Sequence, residues 1–236
     1  MKRIIGVLVL ALQGAVVAQP VNINVHVELP PSSNPALPPG VYESGETILM
    51  HVRLNASADI SGPGNDILFG QIELNTAPAI MEEHPDDPGF PFVQPTLGPP
   101  DSPNLPYGTL VAAIAIPGQN PLQHVDVIMS APFVAFSLDT DVGRNAFDVP
   151  VILPTAPGGY TIDAMIDALG PCPDPDWSST IFQSEDGQVF YNNCDADPDH
   201  GVVQVSGSYS VIPEPATVGL ILATLAAAAR GRLLVR

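Results

Sequence analysis

Basic residues are scarce in this chain, which holds seven Lys and Arg against 25 Asp and Glu among its 236 residues. Of the basic residues, only Arg53 and Arg144 lie between residues 19 and 212. The same range, which we call the body, holds 24 acidic residues and so carries a formal charge of −22. Such a surface repels nucleic-acid phosphates and anionic lipid headgroups, which excludes nucleic-acid binding. The acidity is typical either of a soluble, aggregation-resistant surface or of carboxylates that bind divalent cations.

Linear catalytic signatures are also missing. The chain has no His-Glu-x-x-His zinc motif, no Gly-x-Ser-x-Gly nucleophile elbow and no phosphate-binding loop. Carboxylates that meet only in the folded protein, as in glycoside hydrolases, have no spacing to recognise, so an exported hydrolase stays an open alternative. We predict a non-enzymatic protein.

Stretches able to form helices are rare, because 28 prolines interrupt most windows long enough for a stable helix. Several segments instead alternate apolar and polar residues, as half-buried strands do, and others are short apolar runs typical of buried strands. The predicted fold is all-β, an antiparallel β-sandwich with long proline-rich loops, of which Thr76–Pro106 is the longest. The predicted strands are Val21–Leu29, Ile48–Leu54, Ile67–Leu74, Leu110–Ile116, Val125–Met129, Phe133–Leu138, Tyr160–Asp167 and Val203–Val211.

The N-terminus has the three parts of a secretory signal peptide in order. Lys2 and Arg3 form a positive start, Ile4–Leu12 is an apolar run, and Ala18 supplies the small residue that signal peptidase needs. The apolar run is shorter than the roughly 20 residues that span a bilayer, so we predict removal of residues 1–18 rather than a retained anchor.

The C-terminus carries a proline motif, an apolar run and a basic end, in that order. Pro213, Glu214 and Pro215 are followed by Val218–Ala229 and then by the basic residues Arg230 and Arg232. The prolines keep the backbone extended, and basic residues after an apolar segment favour the cytoplasmic side of a membrane.

This order resembles the PEP-CTERM sorting tail of bacterial surface and matrix proteins. The resemblance implies recognition of the Pro-Glu-Pro motif by exosortase, a membrane-embedded processing enzyme. It also implies that residues 213–236 form a sorting tail whose apolar helix, Val218–Ala229, holds the chain in the membrane. It implies a bacterial cell envelope, surface or extracellular-matrix location for a body at residues 19–212.

Two cysteines, Cys172 and Cys194, lie in the body. Export exposes a chain to an oxidising compartment, where an even pair favours one disulfide. That bridge would add about 3 kcal/mol of stability by closing a loop of roughly 22 residues in the unfolded chain.

Two acidic clusters are candidate cation sites. Asp195, Asp197 and Asp199 stand at alternate positions, a spacing that calcium loops use, although Ser206 replaces the final glutamate of an EF-hand. The segment Glu82–Asp87 is the densest acidic cluster, and its proline indicates an exposed loop. Calcium therefore remains possible as the only cofactor.

The body also resembles, loosely, the opening of cohesin-like sandwich modules, on the residues Pro38–Tyr42 followed by Gly45–Thr47. This adds to the expectation of a sandwich. Our first hypothesis is an exported, non-enzymatic surface or matrix protein. The alternative is a calcium-assisted module that binds exopolysaccharide. Sugar rings could stack on the aromatic side chains, although we expect most of these to pack in the core or in turns: Tyr42, Tyr107, Trp177, Tyr191 and Tyr209.

Overall fold

The computed structural model describes residues 21–62, 64–99, 102–138, 140, 143–164, 181–192 and 200–213. Within these ranges the chain forms strands and no helix. The strands are β1 (Val21–Glu28), β2 (Val41–Glu43), β3 (Thr47–Ala56), β4 (Ile67–Asn75), β5 (Ile80–Met81), β6 (Glu83–His84), β7 (Asp87–Pro91), β8 (Gln94–Pro95), β9 (Leu97–Gly98), β10 (Leu105–Pro106), β11 (Leu110–Ala115), β12 (His124–Ser130), β13 (Arg144–Ile152), β14 (Gly158–Ile162), β15 (Ile181–Ser184), β16 (Phe190–Asn192), β17 (His200–Val205) and β18 (Gly207–Ile212).

The larger sheet has eleven strands, in the order β11-β12-β4-β15-β16-β17-β1-β3-β13-β5, with β8 also paired to β13. A three-stranded sheet has the order β14-β18-β2, and β9–β10 and β6–β7 form two short ladders. Most ladders are antiparallel, while β1 and β17 pair in parallel, as do β18 and β2.

Alternation along the strands decides which side chains enter the core. In β3, every second residue from Ile48 to Ala56 is buried, and the residues between them are exposed or half-buried. Side chains on successive residues of a strand point to opposite faces, so this pattern gives β3 one core-facing side.

The eleven-stranded sheet folds over on itself, because side chains from both ends of its strand order share one buried cluster. Ile72 and Val127 belong to that cluster together with Val25, Val52 and Val149. We call β11-β12-β4-β15 the front layer and β17-β1-β3-β13-β5 the back layer. The two layers enclose the core between their inner faces, which is the arrangement of a β-sandwich.

Gly70 of β4 allows one close contact in this core. A Cβ atom there would lie 2.8 Å from the ring of Phe182, its cross-strand partner in β15. The absence of a side chain thus lets the fully buried Phe182 ring lie against the β4 backbone.

The segment that resembles the opening of a cohesin-like module forms β2, a turn and the start of β3. Tyr42 in β2 is fully buried, and its hydroxyl donates a hydrogen bond to the carbonyl of Pro30. Its ring meets Tyr209 of β18 edge-on, with centroids 6.1 Å apart. These contacts fasten the small sheet to the segment that leads out of β1.

The all-β sandwich prediction is confirmed for the described residues, with corrections to its details. The sheet is mixed rather than antiparallel, because β1 and β17 come from opposite ends of the body and no hairpin fixes their direction. Phe133–Leu138 is not a strand: it makes isolated bridges at Phe136 and Leu138 only, which are buried, whereas Phe133 and Val134 are exposed. Its apolar run therefore reflects neither continuous pairing nor continuous burial.

Two further details differ from the sequence prediction. The predicted loop Thr76–Pro106 contains six short strands, β5 to β10. Strand β13 was not predicted, because Pro150 within it argues against a strand with neighbours on both sides.

Many predicted features lie outside the described residues. These are the signal peptide at residues 1–18, both cysteines, the three alternating aspartates, and the tail beyond Pro213. Within the described ranges, no helix has the length and apolar character needed to cross a bilayer.

Two leucines of β3 test the assignment of its faces. Leu54 is fully buried and Leu49 is 38% exposed. We expect Leu54→Ala to lower the free energy of unfolding by about 2–5 kcal/mol, because it removes apolar contact and leaves a cavity. Leu49→Ala, measured by the same chemical denaturation, should cost less than about 1 kcal/mol. Equal losses for the two variants would contradict this strand register.

Candidate interaction surface

Charge is nearly absent from the segment that contains two of the four strands of the front layer. Between residues 102 and 138, Asp126 is the single charged residue, although the body carries 24 acidic residues. This segment contains β11 and β12 and the loops on either side of them. Depletion of charge and enrichment in apolar residues is the composition of the buried centre of protein interfaces.

The register of the front layer places apolar side chains on its outer face. Val125, Val127 and Met129 of β12 point into the core, so the residues between them point outward. Pairing of β11, β12 and β4 then forms three outward rows. These rows are Leu110, Ser130 and Phe69; Ala112, Ile128 and Gln71; and Ile114, Asp126 and Glu73.

Exposure is concentrated on the same surface. Nine large apolar side chains of the described residues are exposed, and five of them lie between residues 107 and 134. Leu110 is 66% exposed and Ile114 is 45% exposed, both on β11. An outer sheet face normally carries polar residues, so this one departs from the expected alternation. We call the outward side chains of Leu110, Ala112, Ile114, Ile128 and Phe69 the apolar face.

Two exposed aromatic rings extend the apolar face beyond its first row. Tyr107 precedes β11 and is 64% exposed, and Phe133 follows β12 and is 84% exposed. The Phe133 ring lies next to the backbone of Gly108, where a Cβ atom would be 3.7 Å from it. The two loops that carry these rings therefore meet.

Arg144 links the same two loops through hydrogen bonds. Its guanidinium donates hydrogen bonds to the carbonyls of Ser102 and Asn104, both at 3.1 Å, on the loop before β11. It also donates to the carbonyl and hydroxyl of Ser137, on the loop after β12. One of the two basic residues of the body thus joins the two loops at this end of the apolar face.

A polar cluster closes the opposite end of the apolar face. The His124 ring is hydrogen-bonded to the carboxylate of Glu73, and the two residues are only 8% and 2% exposed. Asp126 stands directly opposite Glu73 in the β12–β4 ladder. One carboxylate oxygen of Asp126 is buried and has no hydrogen-bond partner within the described chain.

Burial raises the pKa of the Asp126 carboxyl above its ordinary value. A hydrogen bond from Gln71 and the nearby His124 act in the opposite direction and are outweighed. Since burial penalises the charged form, this single charge of the segment is held at an energetic cost.

A shallow groove runs beside the edge of β11. It has a volume of about 220 Å³ and is lined by Val111, Ala112 and Ala113 on one side and by the β6–β7 hairpin on the other. The predicted acidic cluster Glu82–Asp87 forms part of this hairpin, and most of its side chains are exposed, as expected. No group of three metal-ligating side chains occurs among the described residues.

The tyrosines that could stack on sugars lie in different environments. Tyr42, Tyr191 and Tyr209 are buried and pack in the core, whereas Tyr107 is exposed. Trp177 lies outside the described residues. The apolar face itself was missed at the sequence level, although the single charge across residues 102–138 was the available signal.

Replacing Asp126 with asparagine should stabilise the protein. Because folding raises the pKa of this acid, its charged form is disfavoured in the folded state at pH 7, and stability increases as the pH falls through the folded pKa. We expect Asp126→Asn to raise the free energy of unfolding at pH 7 by about 1 kcal/mol, the low end for an unsatisfied buried group. Thermal melts across pH should show this difference shrinking toward acidic pH. Destabilisation at pH 7 would instead mean that the ionised Asp126 carboxylate makes a favourable interaction in the folded protein.

No family model matches the chain, and no curated protein matches it. Several solved structures are similar to it in shape. The seventh ScaB type I cohesin of Pseudobacteroides cellulosolvens is 10% identical, with a TM-score of 0.45 over 82% of this chain and 94% of that one. A type II cohesin from the cellulosome of Acetivibrio cellulolyticus is 8% identical, with a TM-score of 0.46 over 80% and 95%. A type I cohesin–dockerin complex of Clostridium thermocellum gives 9% identity and a TM-score of 0.45 over 82% and 95%.

Proposed function

We propose that this chain is an exported, non-enzymatic protein of the bacterial cell surface or extracellular matrix that acts through contact with protein. The observation that supports contact is the apolar face, where Leu110 and Ile114 are exposed on a nearly uncharged strand pair. Apolar surface exposed in this way marks an interaction site more often than a catalytic one.

The arrangement of ionisable groups supports a non-enzymatic role. The cluster of Glu73, His124 and Asp126 has residue types that acid–base catalysis uses. Glu73 and His124 are almost fully buried and hydrogen-bonded to each other, which leaves no access for a substrate. The cluster therefore supports the sheet rather than a reaction.

Sorting through the C-terminal tail completes the proposal. Pro213, Glu214 and Pro215 follow directly in the sequence on β18, the last described strand. We expect a membrane-embedded exosortase to recognise this motif, and Val218–Ala229 with Arg230 and Arg232 to keep the chain at the bilayer.

Removal of residues 213–236 tests the sorting step. We expect the truncated chain to appear in the culture medium, whereas the full chain stays with the cell envelope, because the apolar anchor is lost. Immunoblots of medium and envelope fractions measure the distribution. A matched variant, Glu214→Ala, keeps the anchor and removes only the acidic centre of the motif. Unchanged envelope retention after truncation would refute the proposed role of the tail.

Polysaccharide binding remains a second candidate because two exposed aromatic rings, Tyr107 and Phe133, lie on adjacent loops. Aromatic rings present flat apolar surfaces on which sugar rings stack. If this function holds, Tyr107→Ala with Phe133→Ala should reduce sedimentation of the protein with its producer's exopolysaccharide at least threefold. Leu49→Ala, also an exposed apolar residue, is the control. Binding equal to that of the control, or none by the unmodified protein, would exclude the sugar role of these rings.

A further inference from the structure

The groove beside β11 joins the apolar face to a group of acidic side chains. Strands β7 and β8 both lie against β11, so β11 presents its outer surface rather than an open edge. Ala112 is exposed and belongs to both surfaces: it stands in the apolar face between Leu110 and Ile114, and it lines the groove across from Asp87. A partner that covers the apolar face therefore also meets the β6–β7 hairpin.

The hairpin carries three exposed carboxylates close together in the sequence, those of Glu83, Asp86 and Asp87. The three ion pairs of the described residues all join other side chains, so no arginine of that part of the chain neutralises the hairpin. The hairpin is braced by its own main chain, because the amide of Gly89 donates a hydrogen bond to the Glu83 carboxylate. Negative charge held in place beside exposed apolar surface complements a partner of positive charge.

We propose that the apolar face and this hairpin together dock a cationic segment of another protein, in which apolar side chains stand next to a cluster of lysine or arginine. The inference rests on the proposed role in protein contact and adds the chemistry of the partner. The apolar side chains of the segment cover Leu110, Ala112 and Ile114, and its basic side chains reach the hairpin. Leu110 and Ile114 are four residues apart on one strand, about 14 Å, which a segment of about five extended residues covers.

The charge of the body favours this partner over an acidic one. A formal charge of −22 repels a second copy or any other acidic protein before contact, whereas it attracts a basic segment. The carboxylates of the hairpin lie in water at the rim of the contact, so they act mainly on the rate and the salt dependence of association. Most of the affinity then comes from the desolvated apolar centre.

A synthetic peptide tests this chemistry. It has four leucines that alternate with serines, followed by three lysines, one for each exposed carboxylate of the hairpin. The full chain is held in nanodiscs of zwitterionic phospholipid, and the fluorescence anisotropy of the labelled peptide is compared with that in empty nanodiscs. We expect saturable binding that weakens at least threefold as NaCl rises from about 0.01 to about 0.1 M, since the Debye length falls from about 30 to about 10 Å.

Two exposed residues of β11 carry the apolar half of the test. Leu110→Ala combined with Ile114→Ala should weaken peptide binding about fivefold or more, because the centre of the contact is lost. Leu49→Ala combined with Ile80→Ala is the matched control: these side chains are 38% and 42% exposed and lie outside the apolar face. The control pair should change the dissociation constant less than about twofold.

Neutral variants of the hairpin carry the charge half of the test. Glu83→Gln combined with Asp87→Asn should weaken binding about threefold at low salt and less at high salt, as rim charges do. Asp59→Asn combined with Glu185→Gln neutralises two exposed carboxylates outside the hairpin. Equal weakening by the two pairs would mean general attraction to an acidic body and would overturn the role of the hairpin.

Two altered peptides separate this inference from the proposed function. Replacing the leucines with serine, or the lysines with glutamate, should each weaken binding about fivefold or more. A glutamate peptide that binds as tightly, and that Leu110→Ala with Ile114→Ala weakens, would refute the cationic partner while the contact role of the apolar face stands. If those alanine variants affect no peptide, the contact role fails as well.

The same measurement detects other occupants of the apolar face. No binding of the lysine peptide to the full chain overturns the proposal. If the chain that ends at residue 212 does bind it, the tail is the occupant. If the peptide instead dissociates an oligomer of the full chain, the occupant is a second copy.

Discussion

Burial of every second side chain along the strands is the constraint on which the rest of this protein depends. The long sheet folds over because one side of β1, β3, β4, β12 and β13 is apolar, and a single cluster between the layers receives those side chains. Charge is then confined to outer faces and loops. On the front layer, however, the outer face is itself largely apolar. Its side chains, such as Leu110 and Ile114, remain exposed after the core has formed.

The acidic body explains why such a face can exist on the surface of this protein. With a formal charge of −22, copies and other anionic surfaces are kept apart by repulsion, which reduces unspecific association through exposed leucine, isoleucine and phenylalanine. Association is then limited to partners that bind the apolar face itself. Arg144 contributes by holding the loops of Tyr107 and Phe133 in place through hydrogen bonds to their carbonyl groups.

The sequence predicted the class of fold better than its connections. Strict alternation located β1 and β3, and short apolar runs located β4 and β12, because these patterns report burial directly. The apolar run at Leu110–Ile116 located β11 but wrongly predicted a buried strand, since Leu110 and Ile114 are exposed. The same signal misplaced residues 133–138, where Phe136 and Leu138 are buried without belonging to a strand. Parallel pairing of β1 with β17 depends on contacts between distant parts of the chain, which no local pattern contains. The candidate surface needed the register, since only pairing shows that Leu110 and Ile114 share a face with Ile128.

The engagement of both arginines of the body has a consequence for the water around it. Arg53 is paired with Glu28, and Arg144 donates to main-chain oxygens and also acts on the Asp66 carboxylate, so both cations are engaged while 24 acidic residues outnumber them. Each folded body therefore recruits small cations from its surroundings. If copies are tethered side by side, as proposed above, those ions would raise the local osmotic pressure, and the layer would swell with solvent instead of collapsing.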